Sequence, residues 1–257
     1  MSKEFHVIAN WKMNGSQNDL RQYINSFSCI LDKTYIPQNI KIIICPPVTS
    51  LHLVANWIDN YPYIAAGCQN CCSELQGAFT GELSASMLFD AGCRYFITGH
   101  SERRVLYAEN NNTIRKKVHQ VIKAGGTAIV CVGENLDEFN NNNTEQIVTT
   151  QLKESIPYEM ENIHKNLMVA YEPVWAIGAE APPPAERVSD VNAMILNTLK
   201  EHLGQERAAC IPLLYGGSVS DSNASELSKA FKSCGFLLGR AGMFPEKIAN
   251  IIHSLED

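Results

Sequence analysis

The sequence predicts a single (β/α)8 barrel domain spanning residues 1–257. Eight short apolar segments alternate strictly with segments of helical periodicity, which is typical of parallel strands joined by helices. The length of 257 residues is close to the roughly 250 that such barrels commonly take. With 45% hydrophobic residues the chain can fill a large core. No linker divides the eight units, so a closed barrel is favoured over an open sheet.

Each predicted strand is a run of aliphatic, β-branched or aromatic residues, the composition that suits strands buried on both faces. In chain order the strands are 5–11 (FHVIANW), 40–45 (IKIIIC), 63–67 (YIAAG), 94–98 (RYFIT), 127–132 (TAIVCV), 167–171 (LMVAY), 211–215 (IPLLY) and 235–239 (GFLLG).

Between these strands apolar residues recur every three or four positions, which indicates helices packed on a barrel. The helices are expected at about 17–33, 48–58, 83–90, 113–124, 143–155, 186–203, 221–231 and 245–254. Two asparagine-rich stretches, 110–112 and 140–143, are expected to be turns at helix starts, because asparagine caps helices and tolerates tight turns.

Charge and cysteine usage narrow the functional class. The net charge of -6 argues against nucleic acid as a partner, so a substrate phosphate would have to be bound locally by dipoles and a few cations. No apolar run is long enough to cross a bilayer, which argues against a membrane partner, and no secretory signal is evident at the start of the sequence. Nine cysteines, an odd number with several inside apolar runs, indicate reduced thiols and a cytoplasmic location.

Four predicted strands end in groups that are used in catalysis. Glu172 follows the run 167–171, Lys12 and His100 follow the first and fourth strands, and a Gly-Gly-Ser turn at 216–218 follows the seventh. In an α/β barrel the carboxyl ends of the strands share one face, where active sites are built. Burial at a strand tip is expected to raise the pKa of Glu172 toward neutrality, as a general base requires. Taken singly, a strand-end carboxylate is more often a helix cap or half of an ion pair, and a strand-end histidine is usually structural.

Seven motifs, in one order along nearly the whole chain, resemble the triosephosphate isomerase family. They are 10–14 (NWKMN), 69–70 (QN), 77–82 (GAFTGE), 99–104 (GHSERR), 131–134 (CVGE), 170–178 (AYEPVWAIG) and 215–219 (YGGSV). The resemblance implies a homodimeric TIM barrel of glycolysis and gluconeogenesis. It also implies that dihydroxyacetone phosphate and D-glyceraldehyde 3-phosphate are interconverted through an enediolate, without a metal or organic cofactor.

The resemblance further implies roles for individual residues. Glu172 would move the proton between the two reacting carbons, and His100 would polarise the carbonyl as a neutral imidazole at a helix start. Lys12 would supply positive charge near the phosphate and the enediolate oxygen. The supporting residues are Asn10, which lines the site and orients Lys12, Glu102, which pairs with Lys12, and Ser101, which helps to open the helix.

Backbone N–H groups at glycine-rich turns would hold the phosphate. The substrate-binding positions on this side are Gly178, Ser218, Gly239 and Arg240. The chain departs from the family here, because Arg240 stands where a second glycine is usual and 179–184 (AEAPPP) replace the usual hinge. In the family the tyrosine matching Tyr215 latches the closed lid through a hinge N–H. The matching residue in this chain is Pro183, which has no N–H.

The 77–82 loop resembles the interface loop of the family, and its Thr80 would reach the other subunit near Asn10 and His100.

Cys68 and Cys71 form a CxxC pattern that in isolation could suggest zinc or redox chemistry. No second pair stands at zinc spacing, so no metal is expected.

Two alternatives to the triose phosphate reaction remain open. A paralogous isomerase of tetrulose phosphates would be consistent with Gly239-Arg240 and the altered lid. A barrel kept only as a binding or structural partner fits poorly, because every reacting side chain is retained.

Overall fold

The computed structural model describes residues 4–177, 183–231 and 234–255, and it confirms the (β/α)8 barrel. Eight parallel strands pair in chain order, and the last pairs with the first to close the barrel. The strands are β1 (Phe5–Asn10), β2 (Ile40–Cys45), β3 (Ile64–Cys68), β4 (Tyr95–Thr98), β5 (Thr127–Val132), β6 (Leu167–Tyr171), β7 (Leu213–Tyr215) and β8 (Gly235–Leu238). Each lies within, or shifted by one residue from, a run that the sequence predicted as a strand.

The α-helices of the described residues follow the strands. They are α1 (Gln17–Leu31), α2 (Leu51–Trp57), α3 (Ala85–Asp90), α4 (Ser101–Leu106), α5 (Asn111–Lys123), α6 (Leu136–Asn140), α7 (Thr144–Ser155), α8 (Ala185–Leu203), α9 (Gln205–Ala209), α10 (Ala224–Phe231) and α11 (Pro245–His253). The eight predicted helices are confirmed, and α4 begins directly after His100, as expected. The helices α6 and α9 were not predicted, because five residues are too few to show a helical period.

The asparagine-rich stretches act in part as predicted. Asn110 caps α5, and its side chain accepts the Thr113 N–H at 2.9 Å. Asn143 precedes α7 but makes no capping bond with its side chain. A capping box that the sequence analysis did not name starts α6, where Asn135 and Glu138 each accept the other's backbone N–H. A cap of this kind contributes about 1 kcal/mol to a helix.

The barrel interior is closed by side chains. Alternate residues of the strands point inward and form a separate buried cluster that includes Ile8, Ile43, Ile97, Ile129, Met168, Leu214 and Leu237. The remaining strand residues pack beneath the helices in a second, larger cluster. Because the interior is packed rather than open, a small molecule can reach the strands only at the ends of the barrel.

Candidate active site

A cavity of about 420 Å³ opens at the carboxyl ends of the strands. It brings together groups from β1, β4, β6, β7 and β8 that lie far apart in the sequence. Its lining consists of Asn10, Lys12, His100, Glu172, Ile177, Gly216, Gly217, Ser218, Val219, Leu237, Leu238, Gly239, Arg240, Ala241 and Lys247. The structure therefore collects in one cavity all but one of the residues that the sequence predicted to be catalytic or substrate-binding. Gly178 lies outside the described residues.

The carboxylate of Glu172 is buried and held on both of its oxygens. Oε1 lies 3.1 Å from Nε2 of His100, and Oε2 accepts the Ser101 backbone N–H at 3.2 Å. Only 3% of the residue is exposed. Gly216 makes room for it, because a Cβ at that position would come within 2.8 Å of the Glu172 Cγ.

The expected rise in the pKa of Glu172 is not found in this arrangement. Burial raises the pKa, but the nearby His100 imidazole, the Ser101 N–H and the Lys12 ammonium together lower it further, so that the pKa lies below its ordinary value. The sequence prediction of a raised pKa is therefore wrong for the ligand-free protein. It considered burial alone, whereas the opposing groups come from other strands.

Burial and the neighbouring carboxylates have opposite effects on the pKa of His100. Burial lowers its pKa, and the Glu172 and Glu102 carboxylates together raise it by more, so the pKa lies above its ordinary value. On the other side of the ring, Nδ1 accepts the Glu102 backbone N–H at 3.2 Å, which requires an unprotonated nitrogen there. The proton of the neutral ring is then on Nε2. Glu172 raises the pKa of His100 through a contact that a substrate between the two side chains would break. The bond from the Glu102 N–H to Nδ1 would remain, because this N–H belongs to the start of α4.

Lys12 adopts a strained backbone conformation that points its ammonium into the cavity. Its φ is +53°, in the left-handed region that a long side chain rarely adopts. Its N–H donates to the Asn10 Oδ1 at 3.0 Å, and its carbonyl accepts from the Gln69 amide at 2.8 Å. Its Nζ lies 2.7 Å from Oε1 of Glu102. The predicted Lys12–Glu102 contact is present, and Asn10 contacts the Lys12 backbone; the orienting role of Asn10 stays a prediction.

The cavity also offers backbone groups and cations. Gly216, Gly217 and Ser218 form the turn after β7, and Gly239 and Arg240 follow β8. The Ser218 hydroxyl donates to the Ala176 carbonyl at 3.0 Å, which connects this turn to the segment after β6. The side chains of Arg240 and Lys247 line the same cavity. These groups are suited to an anion, and Lys12 lies close to them, because a Cβ at Gly239 would come within 3.7 Å of the Lys12 Cε.

Tyr215 is fully buried, and its hydroxyl has no hydrogen-bond partner among the described residues. It lies against Gly217, where an added Cβ would meet the hydroxyl oxygen at 2.3 Å. Pro183 offers this hydroxyl no N–H, and the loss of the lid latch stays a prediction.

Glu134 stands in one of the seven motifs but had no predicted role. Glu134 is completely buried and accepts from the Tyr171 hydroxyl, the Trp175 indole N–H and the Thr144 hydroxyl. It thereby fixes the turn that follows Glu172. A carboxylate two positions after the last residue of an apolar strand was the available signal, similar to the one that singled out Glu172.

Thr80 lies in an exposed loop that carries apolar side chains. Phe79 is 47% exposed and Leu75 57% exposed, and Met13, near the cavity, is 97% exposed.

The described residues contain no group of three or more metal-binding side chains in a suitable arrangement, and Cys68, Cys71 and the other cysteines are free thiols. None of the helices in the described ranges is both long and apolar enough to span a bilayer.

Comparison with known proteins gives a consistent result. The family model described as triosephosphate isomerase matches residues 5–255. The triosephosphate isomerase of Aquifex aeolicus (strain VF5) is 38% identical over 248 residues, which cover 96% of this chain and 98% of that protein. The triosephosphate isomerase of Dictyostelium discoideum is 37% identical over 253 residues, with 98% and 96% covered. The triosephosphate isomerase of Saccharomyces cerevisiae (strain ATCC 204508 / S288c) is 35% identical over 254 residues, with 99% of each chain covered.

Proposed function

We propose that Glu172 moves the proton in the reaction of this chain, which belongs to the triosephosphate isomerase family. That reaction interconverts dihydroxyacetone phosphate and D-glyceraldehyde 3-phosphate. The observation that supports this most strongly is the contact between the buried Glu172 carboxylate and Nε2 of His100, at 3.1 Å, in the cavity that Lys12 also lines. A base and a hydrogen-bond donor face each other there, beside a positive charge.

In the proposed mechanism the substrate enters between Glu172 and His100. The Nε2–H of His100 donates to the substrate carbonyl oxygen, and the Glu172 carboxylate removes a proton from the neighbouring carbon. The enediolate that forms is stabilised by Lys12 and by His100. Glu172 then returns its proton to the other carbon, while the hydroxyl proton of the first carbon passes to the former carbonyl oxygen, so that carbonyl and hydroxyl exchange places. The contact with His100 that lowers the pKa of Glu172 is lost when the substrate separates them, so Glu172 becomes a stronger base while it remains buried.

The phosphate is proposed to bind at the turns that follow β7 and β8, close to Lys12. The supporting residues are Ser218, Gly239, Arg240 and Gly178, of which Gly178 lies outside the described residues. Backbone N–H groups at such turns bind phosphate without basic side chains, and Arg240 adds a cation.

The substitution Glu172→Gln tests the assignment of the base, because it preserves shape and removes the basic oxygen. We expect kcat to fall by about 10²–10⁴, the contribution typical of general acid–base catalysis. The matched control is Glu201→Gln on an exposed face of α8, with kcat unchanged. Activity of Glu172→Gln within threefold of wild type would refute the assignment.

The relatives carry the name triosephosphate isomerase, so the comparisons do not favour the tetrulose phosphate isomerase or the non-catalytic barrel. Measuring kcat/KM on both triose and tetrulose phosphates checks the substrate. A higher value on a tetrulose phosphate would contradict the triose assignment, and no turnover of either would favour a non-catalytic barrel.

We also propose that the single barrel domain of residues 1–257 acts as a homodimer in the cytoplasm. The exposed apolar side chains of Met13, Leu75 and Phe79, around Thr80, support an interface on this side. Sedimentation of the active protein as a monomer would contradict the dimer, and cell fractionation tests the location.

A further inference from the structure

The indole of Trp175 is held by an aromatic residue that belongs to none of the seven motifs. Trp175 stands three residues after Glu172, in the short 3-10 turn Val174–Ala176. Its ring stacks on that of Phe139 in α6, with centroids 4.1 Å apart and planes at 27°. This is the closest ring pair in the described part of the chain. The indole N–H donates to Glu134 Oε1 at 3.0 Å, so Trp175 is fixed on one face and at one edge.

Arg187, from α8, connects the stack to the carboxylate that holds Trp175. Its guanidinium carbon lies 5.3 Å from the centre of the Phe139 ring. Its Nη2 donates to the Thr144 hydroxyl at 2.8 Å, and that hydroxyl lies 3.2 Å from Glu134 Oε1. The Arg187 guanidinium therefore lies over the Phe139 ring and is connected to Glu134 through the Thr144 hydroxyl.

The stack is not a by-product of core packing. The helix α6 has five residues and buries none of them, and Phe139 itself is half-buried. The backbone after Glu172 is attached to the 132–134 segment, since the Glu172 N–H donates to Val132 and the Val174 N–H to Glu134. The side chain of Trp175 is the next attachment along the chain, and Phe139 provides the face on which it rests.

We propose that Phe139 is a positioning residue for the isomerisation, which keeps Trp175, and through it the Glu172 backbone, in the geometry that proton transfer needs. This inference rests on the proposed role of Glu172 as the base. A displacement of about 1 Å at a reacting group can reduce the rate about a hundredfold. A small loosening of the Trp175 turn therefore reduces kcat even though Phe139 touches neither Glu172 nor the cavity. An aromatic stack contributes enough to change a rate about 3- to 10-fold.

The test compares Phe139→Leu, which keeps apolar bulk and loses the stack, with Phe139→Tyr, which keeps the ring. We expect Phe139→Leu to lower kcat about 3- to 10-fold with KM within about twofold of wild type. Phe139→Tyr should restore kcat to within about 1.5-fold. The matched control is Phe89→Leu, which removes a ring that lies under Arg94 at 4.2 Å, remote from the cavity. It should affect the melting temperature and leave kcat unchanged.

Tryptophan emission provides a second readout. Trp175 is half-buried, whereas Trp11 is 3% and Trp57 8% exposed, so a change in emission reports mainly on Trp175. Phe139→Leu should shift the emission to longer wavelength, and Phe89→Leu should not. The proposal is overturned if kcat of Phe139→Leu stays within twofold of wild type, or if only KM or the melting temperature changes. It is also overturned if Phe139→Tyr loses as much kcat as Phe139→Leu, or if kcat falls without the emission shift. Failure of the base assignment is distinguishable, because it would leave Glu172→Gln active.

Discussion

Replacing Tyr215 by phenylalanine tests whether its hydroxyl has any function in a chain whose hinge offers no N–H at position 183. Tyr215 is 0% exposed, and within the described residues its hydroxyl has no hydrogen-bond partner. Burial raises the pKa of Tyr215, so the hydroxyl keeps its proton and would need an acceptor. Phenylalanine preserves the ring contacts with Tyr171 and Phe231 and removes only the unpaired oxygen.

Leaving a buried polar group without a partner costs about 1–3 kcal/mol. We therefore expect Tyr215→Phe to raise the free energy of unfolding by about 1 kcal/mol, which corresponds to about 2–4 °C in Tm for a chain of this size. A functioning latch bond would contribute about 0.5–1.5 kcal/mol to lid closure. Without it, kcat/KM should fall by less than about threefold, equivalent to about 0.7 kcal/mol.

Urea unfolding and a coupled assay on both triose phosphates measure these two quantities. The matched control is Tyr171→Phe, because the Tyr171 hydroxyl lies 3.1 and 3.2 Å from the two oxygens of Glu134. Its removal leaves a buried carboxylate short of a donor and should destabilise the protein by about 1–3 kcal/mol. A tenfold loss of kcat/KM in Tyr215→Phe, or a loss of stability like that of the control, would mean that Tyr215 has a partner and would refute this reasoning.

Three further predictions follow from single residues. Shortening the base in Glu172→Asp should lower kcat about a hundredfold and affect KM far less, because the carboxylate moves by about 1 Å; equal kcat in the two proteins would contradict its role. Ala108→Gly should raise the free energy of unfolding by about 0.5–1 kcal/mol, because Ala108 has a φ of +52° and glycine adopts this conformation without strain; urea titration measures the difference. The pKa of Glu172 is lowered on folding from 4.5, so its ionised form contributes stability that is present above pH 4.5 and lost as the pH falls through the lower folded value. The difference in unfolding free energy between wild type and Glu172→Gln should therefore shrink below about pH 4, as Glu172 is protonated. It should also shrink as the pH rises through the pKa of His100, which Glu172 raises. A difference that stays unchanged at low pH would contradict the lowered pKa of Glu172.

The positions of the reacting groups could be inferred from local patterns. Lys12, His100 and Glu172 each follow a short apolar run, and in a parallel barrel every such position lies on one face. The eight strands could also be predicted from the sequence, because burial on both faces makes them continuous apolar runs. The helix α6 was missed because its five residues carry no period.

The chemical state of these groups could not be inferred in this way. Burial at the strand tip was the only effect on Glu172 that the sequence indicated, and burial alone raises a pKa. The pKa of Glu172 is lowered instead because Nε2 of His100 and the N–H of Ser101 lie within hydrogen-bonding distance, and both belong to a segment about 70 residues away.

The same distinction holds for the residues that support the site. The amino-acid order determined the barrel, the strand-tip side chains and the missing N–H at Pro183, because each depends on near neighbours in the chain or on covalent structure. The stack of Phe139 on Trp175, the burial of Glu134 and the unpaired hydroxyl of Tyr215 were decided by tertiary packing. Hydrogen bonds and ring contacts act over a few ångströms, and only the closed barrel sets which distant segments come that close.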